Sequence, residues 1–123
     1  LRQIVGGLSR QLTQKDEQVA IKGYEIHAGI SRGAALDKPF CELHCDNEKK
    51  VWLDGAVSRD GAVAGTYVHG VFDSPQGCEA LLAWAGLKDV KPLNHGELCE
   101  RDINRVASAI EQHLDLSLLR ESA

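Results

Sequence analysis

Short apolar runs broken by glycine-rich turns fill the first seventy residues, and helical patterns come only after them. Residues 3–5 predict an edge strand that ends at Gly6-Gly7, and residues 18–29 predict a strand pair or one bent strand. Residues 8–17 are polar and residues 29–39 are rich in Gly and Ala, so both segments are predicted to be loops. Strands followed by helices favour an α/β or α+β layer in which helices cover a sheet.

The second half of the chain carries the clearer signals. The stretch "KKVWLDGAVSRDGAVAGTYVHG" predicts strand, turn and strand, with Asp60-Gly61 as the hairpin turn. A first helix is predicted from the capping residue Ser74 and Pro75 to a stop at Gly86. Its apolar face would consist of Cys78, Leu81, Leu82 and Ala85, with Cys78 in the core. A second helix is predicted over about 101–115, with an apolar stripe of Ile103, Val106, Ala107, Ile110 and Leu114.

Composition bounds the class of protein. A chain of 123 residues with 43% hydrophobic and 26% charged residues suits one small globular domain. The net charge of -4 is spread over mixed acids and bases, so no nucleic-acid partner is expected. The apolar runs are too short for a membrane span, and we expect no secretory leader. We therefore expect a cytoplasmic protein with four reduced cysteines; the absence of methionine suggests a piece of a longer polypeptide.

His69 is the first candidate for chemistry. It stands at the end of an apolar run between Gly65 and Gly70, and glycines beside a strand-end histidine let a ligand or another backbone come close. Alternation along a strand would place Tyr67 and His69 on one face. An imidazole can act as a base or an acid near neutral pH. Spacing alone leaves open a functional histidine or a buried one satisfied by a carbonyl.

Two further groups bear chemistry. Glu25 and His27 are two residues apart and would share a strand face, where the carboxylate could orient the imidazole; the alternative is an exposed pair at a strand end.

A cysteine-rich segment holds three side chains of the types that bind zinc: Cys41, His44 and Cys45. A structural zinc site, however, needs a second pair of ligands. Only scattered candidates remain for it, so no metal site is predicted. No phosphate loop or nucleophile elbow occurs in the sequence, and no cofactor-binding residue is assigned.

The segments "GYEIHAG" and "DGAVSRDGAVAGTYVHGVFD" resemble two motifs of the cobyric acid synthase family, in the C-terminal part of its glutamine amidotransferase domain. The first family motif typically reads Gly-Tyr-Glu-Ile-His-Met-Gly, from which this chain departs only at Ala28. The opening "LRQIVG" and the late "INRVASAIEQHLD" also resemble that family, so the resemblance spans nearly the whole chain.

The resemblance implies an α/β fold: residues 1–123 would be the second half of a class-I-like, flavodoxin-like glutaminase domain, with strands followed by two helices. It implies that the parent enzyme converts corrinoid side-chain carboxylates to amides, using ATP and ammonia released from glutamine. ATP and Mg would bind in an N-terminal synthetase domain outside these residues, which would also take the corrinoid. His69 would be the histidine of a cysteine–histidine glutaminase.

The nucleophilic cysteine of such an enzyme lies on an upstream elbow. None of the four cysteines matches that motif: Cys41, Cys45, Cys78 and Cys99. We therefore expect the isolated segment to be inactive. We also expect it to self-associate, because a sheet cut midway exposes its edges and apolar faces.

Many related amidotransferases carry a carboxylate two residues after the histidine, where this chain has Val71. The residue that orients His69 must then come from elsewhere, and the candidates are Glu25, then Asp73, or a neighbouring domain. His27 and Tyr67 are expected near the site.

Two alternatives remain. A sister amidotransferase would amidate the a and c positions of the corrinoid or a cell-wall lipid precursor, although Tyr24 and "GTYVHGVFD" favour cobyric acid synthase. A non-catalytic metal or interaction module would be built around Cys41, His44 and Cys45.

Overall fold

The computed structural model describes residues 2–14, 16–45, 48–89, 91 and 94–115. They belong to two compact units, residues 1–93 and residues 94–123. The strands of the first unit are β1 (Arg2–Leu8), β2 (Ala20–Glu25), β3 (Cys41–Cys45), β4 (Glu48–Asp54), β5 (Ala56–Val57), β6 (Ala64–Gly65) and β7 (Val68–His69). The helices are α1 (Arg10–Thr13) and α2 (Pro75–Trp84) in the first unit and α3 (His95–His113) in the second.

Five strands form one antiparallel sheet in the order β4-β3-β1-β2-β7. The prediction of an edge strand over residues 3–5 is wrong, because β1 lies at the centre of the sheet. The two glycines do not end β1 but lie within it. Glycine suits position 6, because a side chain there would collide with the Glu42 carbonyl of the neighbouring strand. The remaining two strands, β5 and β6, form the predicted hairpin around Asp60-Gly61.

The core lies on one face of this sheet. Every second residue of β1 and β3 points into it, as the buried side chains of Ile4, Leu8, Cys41 and Leu43 show. Helices α1 and α2 supply Leu12, Ala80 and Leu81 to the same core. The opposite strand face carries exposed residues, which is the usual division in an antiparallel sheet; among them are Lys22, Glu42, His44 and Val51.

Two predicted loops contain short helical turns. Residues 8–17 were expected to be irregular, but α1 forms within them because Leu12 is buried in the core at 3% exposure. The loop over residues 29–39 is interrupted by a 3-10 helix at Ala34–Asp37.

Helix α2 begins and ends as predicted, with Ser74 at the N-cap position, Pro75 in the first turn and the helix stopping just before Gly86. Its buried face shares only Leu81 with the predicted one, since Leu82 is half-buried and Ala85 is exposed. Gly77, Ala80 and Leu81 are buried, whereas Cys78, predicted to lie in the core, is half-buried. The helix is rotated because Gly77 allows its backbone to approach the β2 side chain of Ile21.

Helix α3 begins six residues before the predicted start near 101. The reason is Asn94, whose side-chain oxygen accepts a hydrogen bond from the Glu97 backbone N–H at 3.3 Å and so caps the helix. The prediction of a mixed α/β fragment, with its two long helices after the strands, is confirmed. Within the described ranges, no helix is both long and apolar enough to cross a membrane.

Candidate active site

His69 is the last residue of β7, as the sequence predicted for a strand-end histidine. The preceding Val68 is 6% exposed and points into the core, so His69 points to the open face. Gly70 follows with a φ of +76°, a left-handed conformation that favours glycine. The turn closes where the Asp73 backbone N–H donates to the Gly70 carbonyl at 2.9 Å, and α2 starts two residues later. The backbone of His69 is thus fixed by a strand on one side and a closed turn on the other.

Tyr24 is the direct cross-strand neighbour of His69 in the β2–β7 ladder. Their rings are stacked, with centroids 5.3 Å apart and planes within 7°. The preceding Gly23 lets the strands approach closely, because a side chain there would collide with the His69 carbonyl. Among the residues described, the His69 imidazole has this ring contact and no hydrogen bond or ion pair with another side chain.

Glu25, the first candidate to orient His69, lies on the other face of β2. Register pairs Tyr24 with His69 and Glu25 with the core residue Val68. Oε1 of Glu25 is 3.6 Å from Nε2 of His27. The structure therefore brings Glu25 and His27 together and gives Glu25 no hydrogen bond or ion pair with His69. The predicted shared strand face is absent, because β2 ends at Glu25.

Tyr67 contacts His27 and does not share a face with His69. The predicted alternation fails there because β7 starts only at Val68. The rings of Tyr67 and His27 stack with centroids 4.2 Å apart, and the Tyr67 hydroxyl is hydrogen-bonded to the Ser31 hydroxyl at 2.6 Å. An open cleft of about 560 Å³ borders this cluster and is also lined by Glu25, Trp52 and Asp54. Tyr67, His27 and Glu25 thus form a polar and aromatic cleft separate from the His69 ring.

Asp73, the second candidate to orient His69, is exposed in the turn. A Cβ added at Gly70 would lie 2.8 Å from Oδ2 of Asp73, so this carboxylate sits against the turn backbone. In the part of the chain that the structure describes, Asp73 forms no ion pair with His69.

Sequence reasoning assigned no role to Asp54, because an aspartate is ordinarily exposed and nothing in the sequence marks this one as buried. Asp54 is 7% exposed. Its Oδ2 accepts hydrogen bonds from the Thr66 hydroxyl and, at 3.1 Å, from the Tyr67 backbone N–H. Thr66 in turn accepts from the Val68 backbone N–H at 3.0 Å. This cluster holds the residues that lead into β7 and so helps to place His69.

The cysteine-rich segment of β3 does not gather its ligand-type side chains. Cys41 and Cys45 lie on one strand face and His44 on the other. Burial, together with the nearby Asp54 charge, raises the pKa of the Cys41 thiol to about 12. The Cys45 thiol donates to the Gln3 carbonyl at 3.3 Å. The described residues contain no group of three or more His, Cys, Asp and Glu side chains that could hold a metal ion.

The fold and the site together therefore define a class of protein: a mixed α/β domain that carries an exposed histidine at the end of a strand. The sequence model of the CobB/CobQ-like glutamine amidotransferase domain family matches residues 2–77, from β1 to the first turn of α2. The chain belongs to this family. No solved structure matches the chain.

Proposed function

We propose that His69 is the acid–base residue of glutamine hydrolysis in a cobyric acid synthase. The observation that carries the proposal is the setting of His69: an exposed imidazole at the end of β7, inside the family match, with its backbone fixed by β2 and by the turn at Gly70. A side chain that must exchange protons with a bound substrate needs both this exposure and this fixed position.

The chemistry would proceed in two halves. His69 takes the proton of a cysteine thiol, the thiolate attacks the side-chain amide carbon of glutamine, and a tetrahedral intermediate forms. As the C–N bond breaks, the imidazolium returns the proton to the departing ammonia and a thioester remains. His69 then takes a proton from water, and the resulting hydroxide attacks the thioester carbon. As the C–S bond breaks, the imidazolium returns the proton to the leaving sulfur, and glutamate and the free thiol are released.

We further propose that the cysteine nucleophile comes from sequence outside these 123 residues. The environment of Cys41 supports this, since a buried thiol with a pKa of about 12 stays protonated at neutral pH.

The proposed acceptor of the ammonia is a carboxylate on a corrinoid side chain. The family description covers CobB-like and CobQ-like domains alike, and Tyr24 together with "GTYVHGVFD" favours cobyric acid synthase among them. Activation of that carboxylate would need ATP and Mg, which the resemblance assigns to a synthetase domain beyond this chain.

The test uses the full-length enzyme with either glutamine or added ammonia as the nitrogen source. His69→Ala should lower glutamine-dependent amidation about hundredfold or more, the scale of a lost acid–base residue, and leave the ammonia-dependent reaction intact. His44→Ala is the matched control, because His44 is exposed on the same strand face of the sheet and should affect neither reaction. Loss of both activities in His69→Ala would make His69 structural and refute the proposal.

A second test addresses the nucleophile. The 123-residue chain incubated with glutamine should release no ammonia above the buffer rate. Steady turnover by this chain would show that one of its own cysteines is the nucleophile.

A further inference from the structure

We infer that Tyr24 is a positioning residue for His69: its ring, stacked on the imidazole, holds the orientation that proton transfer requires. This inference rests on the proposed function of His69 and adds to it a second residue. Neither carboxylate candidate in the chain bonds His69, whereas Tyr24 contacts its ring face directly.

The stack restricts the imidazole without occupying its nitrogens. The ring centroids are 5.3 Å apart and the planes within 7°, a parallel stack at a distance typical of aromatic pairs. The two nitrogens of His69 lie on the ring edge and remain free to exchange protons. A hydrogen-bonded carboxylate would instead engage one nitrogen, so the stack is a different way of fixing the same side chain.

Tyr24 is itself well placed to act as a platform. It lies on β2, an interior strand that pairs with β1 on one side and β7 on the other. Its register partners are Gln3 and His69, so both neighbouring strands fix its backbone. Groups carried on paired interior strands hold a site more firmly than groups on loops.

The experiment compares Tyr24→Phe with Tyr24→Leu in the full-length enzyme. Phe keeps the ring and removes only the hydroxyl, while Leu keeps apolar bulk and removes the ring. Two readouts are taken: glutaminase kcat and KM, and the proton NMR shifts of the His69 ring, assigned by their loss in His69→Gln. Ring protons over an aromatic face are shifted upfield, so the NMR readout reports the stack independently of catalysis.

In Tyr24→Phe we expect the upfield shift to persist and kcat to stay within about threefold. In Tyr24→Leu we expect the shift to disappear and kcat to fall about tenfold to hundredfold, the scale of a misplaced catalytic group, with KM for glutamine nearly unchanged.

Three results would overturn the inference. The first is a His69 ring whose proton NMR shifts are the same in Tyr24→Leu as in the wild type. The others are an unchanged kcat in Tyr24→Leu, or a Tyr24→Phe variant as impaired as Tyr24→Leu. Retention of glutaminase activity in His69→Ala would instead refute the proposed function itself. The two failures are therefore separable in one set of variants.

Discussion

The Asp54 carboxylate and the Tyr67 backbone N–H are joined by a hydrogen bond of 3.1 Å that links the end of β4 to the residue just before β7. The Thr66 hydroxyl donates to the same carboxylate oxygen. Because Asp54 is only 7% exposed, little water is available to replace its carboxylate as the acceptor for these two donors. The pair therefore fixes the chain just before His69.

Replacing Asp54 with Ala should lower the free energy of unfolding by about 2–4 kcal/mol, because two donors lose their acceptor in a nearly dry place. Asp54→Asn keeps one acceptor oxygen and should lose less. Urea unfolding of both variants measures the difference. Asp16→Ala removes an exposed acid and serves as the control, expected within about 0.5 kcal/mol of the wild type. Equal losses at the two positions would show that the Asp54 bonds contribute nothing specific.

The sequence predicted the elements whose signals are local. The Asp60-Gly61 turn, the start of α2 at Pro75 and the strand end at His69 each depend on a few neighbouring residues, and all are present. Strand order could not be predicted in this way. Whether β1 lies at an edge or at the centre depends on pairing with residues far away along the chain, such as Gly6 with Leu43.

The contacts at the candidate site are likewise hard to predict when they depend on strand pairing. The contact between Glu25 and His27 is present, but it does not come from a shared strand face, because β2 ends at Glu25. The stack of Tyr24 on His69 depends on the β2–β7 register, which no spacing in the sequence encodes. A one-residue shift of that register would have put Glu25 beside His69 instead, because alternate residues face opposite sides of a strand.

Gly77 offers a test of the packing that rotates α2. Alanine favours a helix by about 1 kcal/mol over glycine. A Cβ at Gly77, however, would lie 2.9 Å from a methyl carbon of Ile21 and 3.1 Å from the Val71 carbonyl. Overpacking of this kind costs about 1–3 kcal/mol, so we expect Gly77→Ala to destabilise the chain on balance. Thermal or urea unfolding measures the sign.

The matched control is Gly96→Ala in α3. The nearest atom to a Cβ there is Oδ1 of Asn94 at 3.4 Å, which is ordinary contact. The helix preference of alanine should then act alone and leave stability equal or higher. If Gly77→Ala were also stabilising, the close approach of α2 to β2 would not be a constraint.

The Cys41 thiol should make stability fall at alkaline pH. Burial raises the pKa of this thiol from 9.0 to about 12. Below pH 9 both the folded and unfolded chains keep the proton, so the group adds no pH dependence. Above pH 9 only the unfolded chain loses the proton, and the folded state is progressively disfavoured.

From pH 8 to pH 10 this loss should amount to about 1 kcal/mol. Cys41→Ala should lack that component, so its unfolding free energy should fall less over the same interval. Cys99→Ala removes an exposed thiol and should follow the wild type. Parallel curves for wild type and Cys41→Ala would mean that Cys41 ionises in the folded chain.

Glu25→Gln decides whether a carboxylate of this chain orients His69. Glu25 contacts His27 at 3.6 Å from the opposite face of β2, so the change should leave glutaminase kcat in the full-length enzyme within about threefold. An orienting carboxylate replaced by its amide can cost about 10⁴-fold in kcat. The two cases are therefore far apart in a steady-state glutaminase assay. A loss of that size would mean that Glu25 reaches His69 in the working enzyme, and would remove the need for the Tyr24 ring as the fixing element.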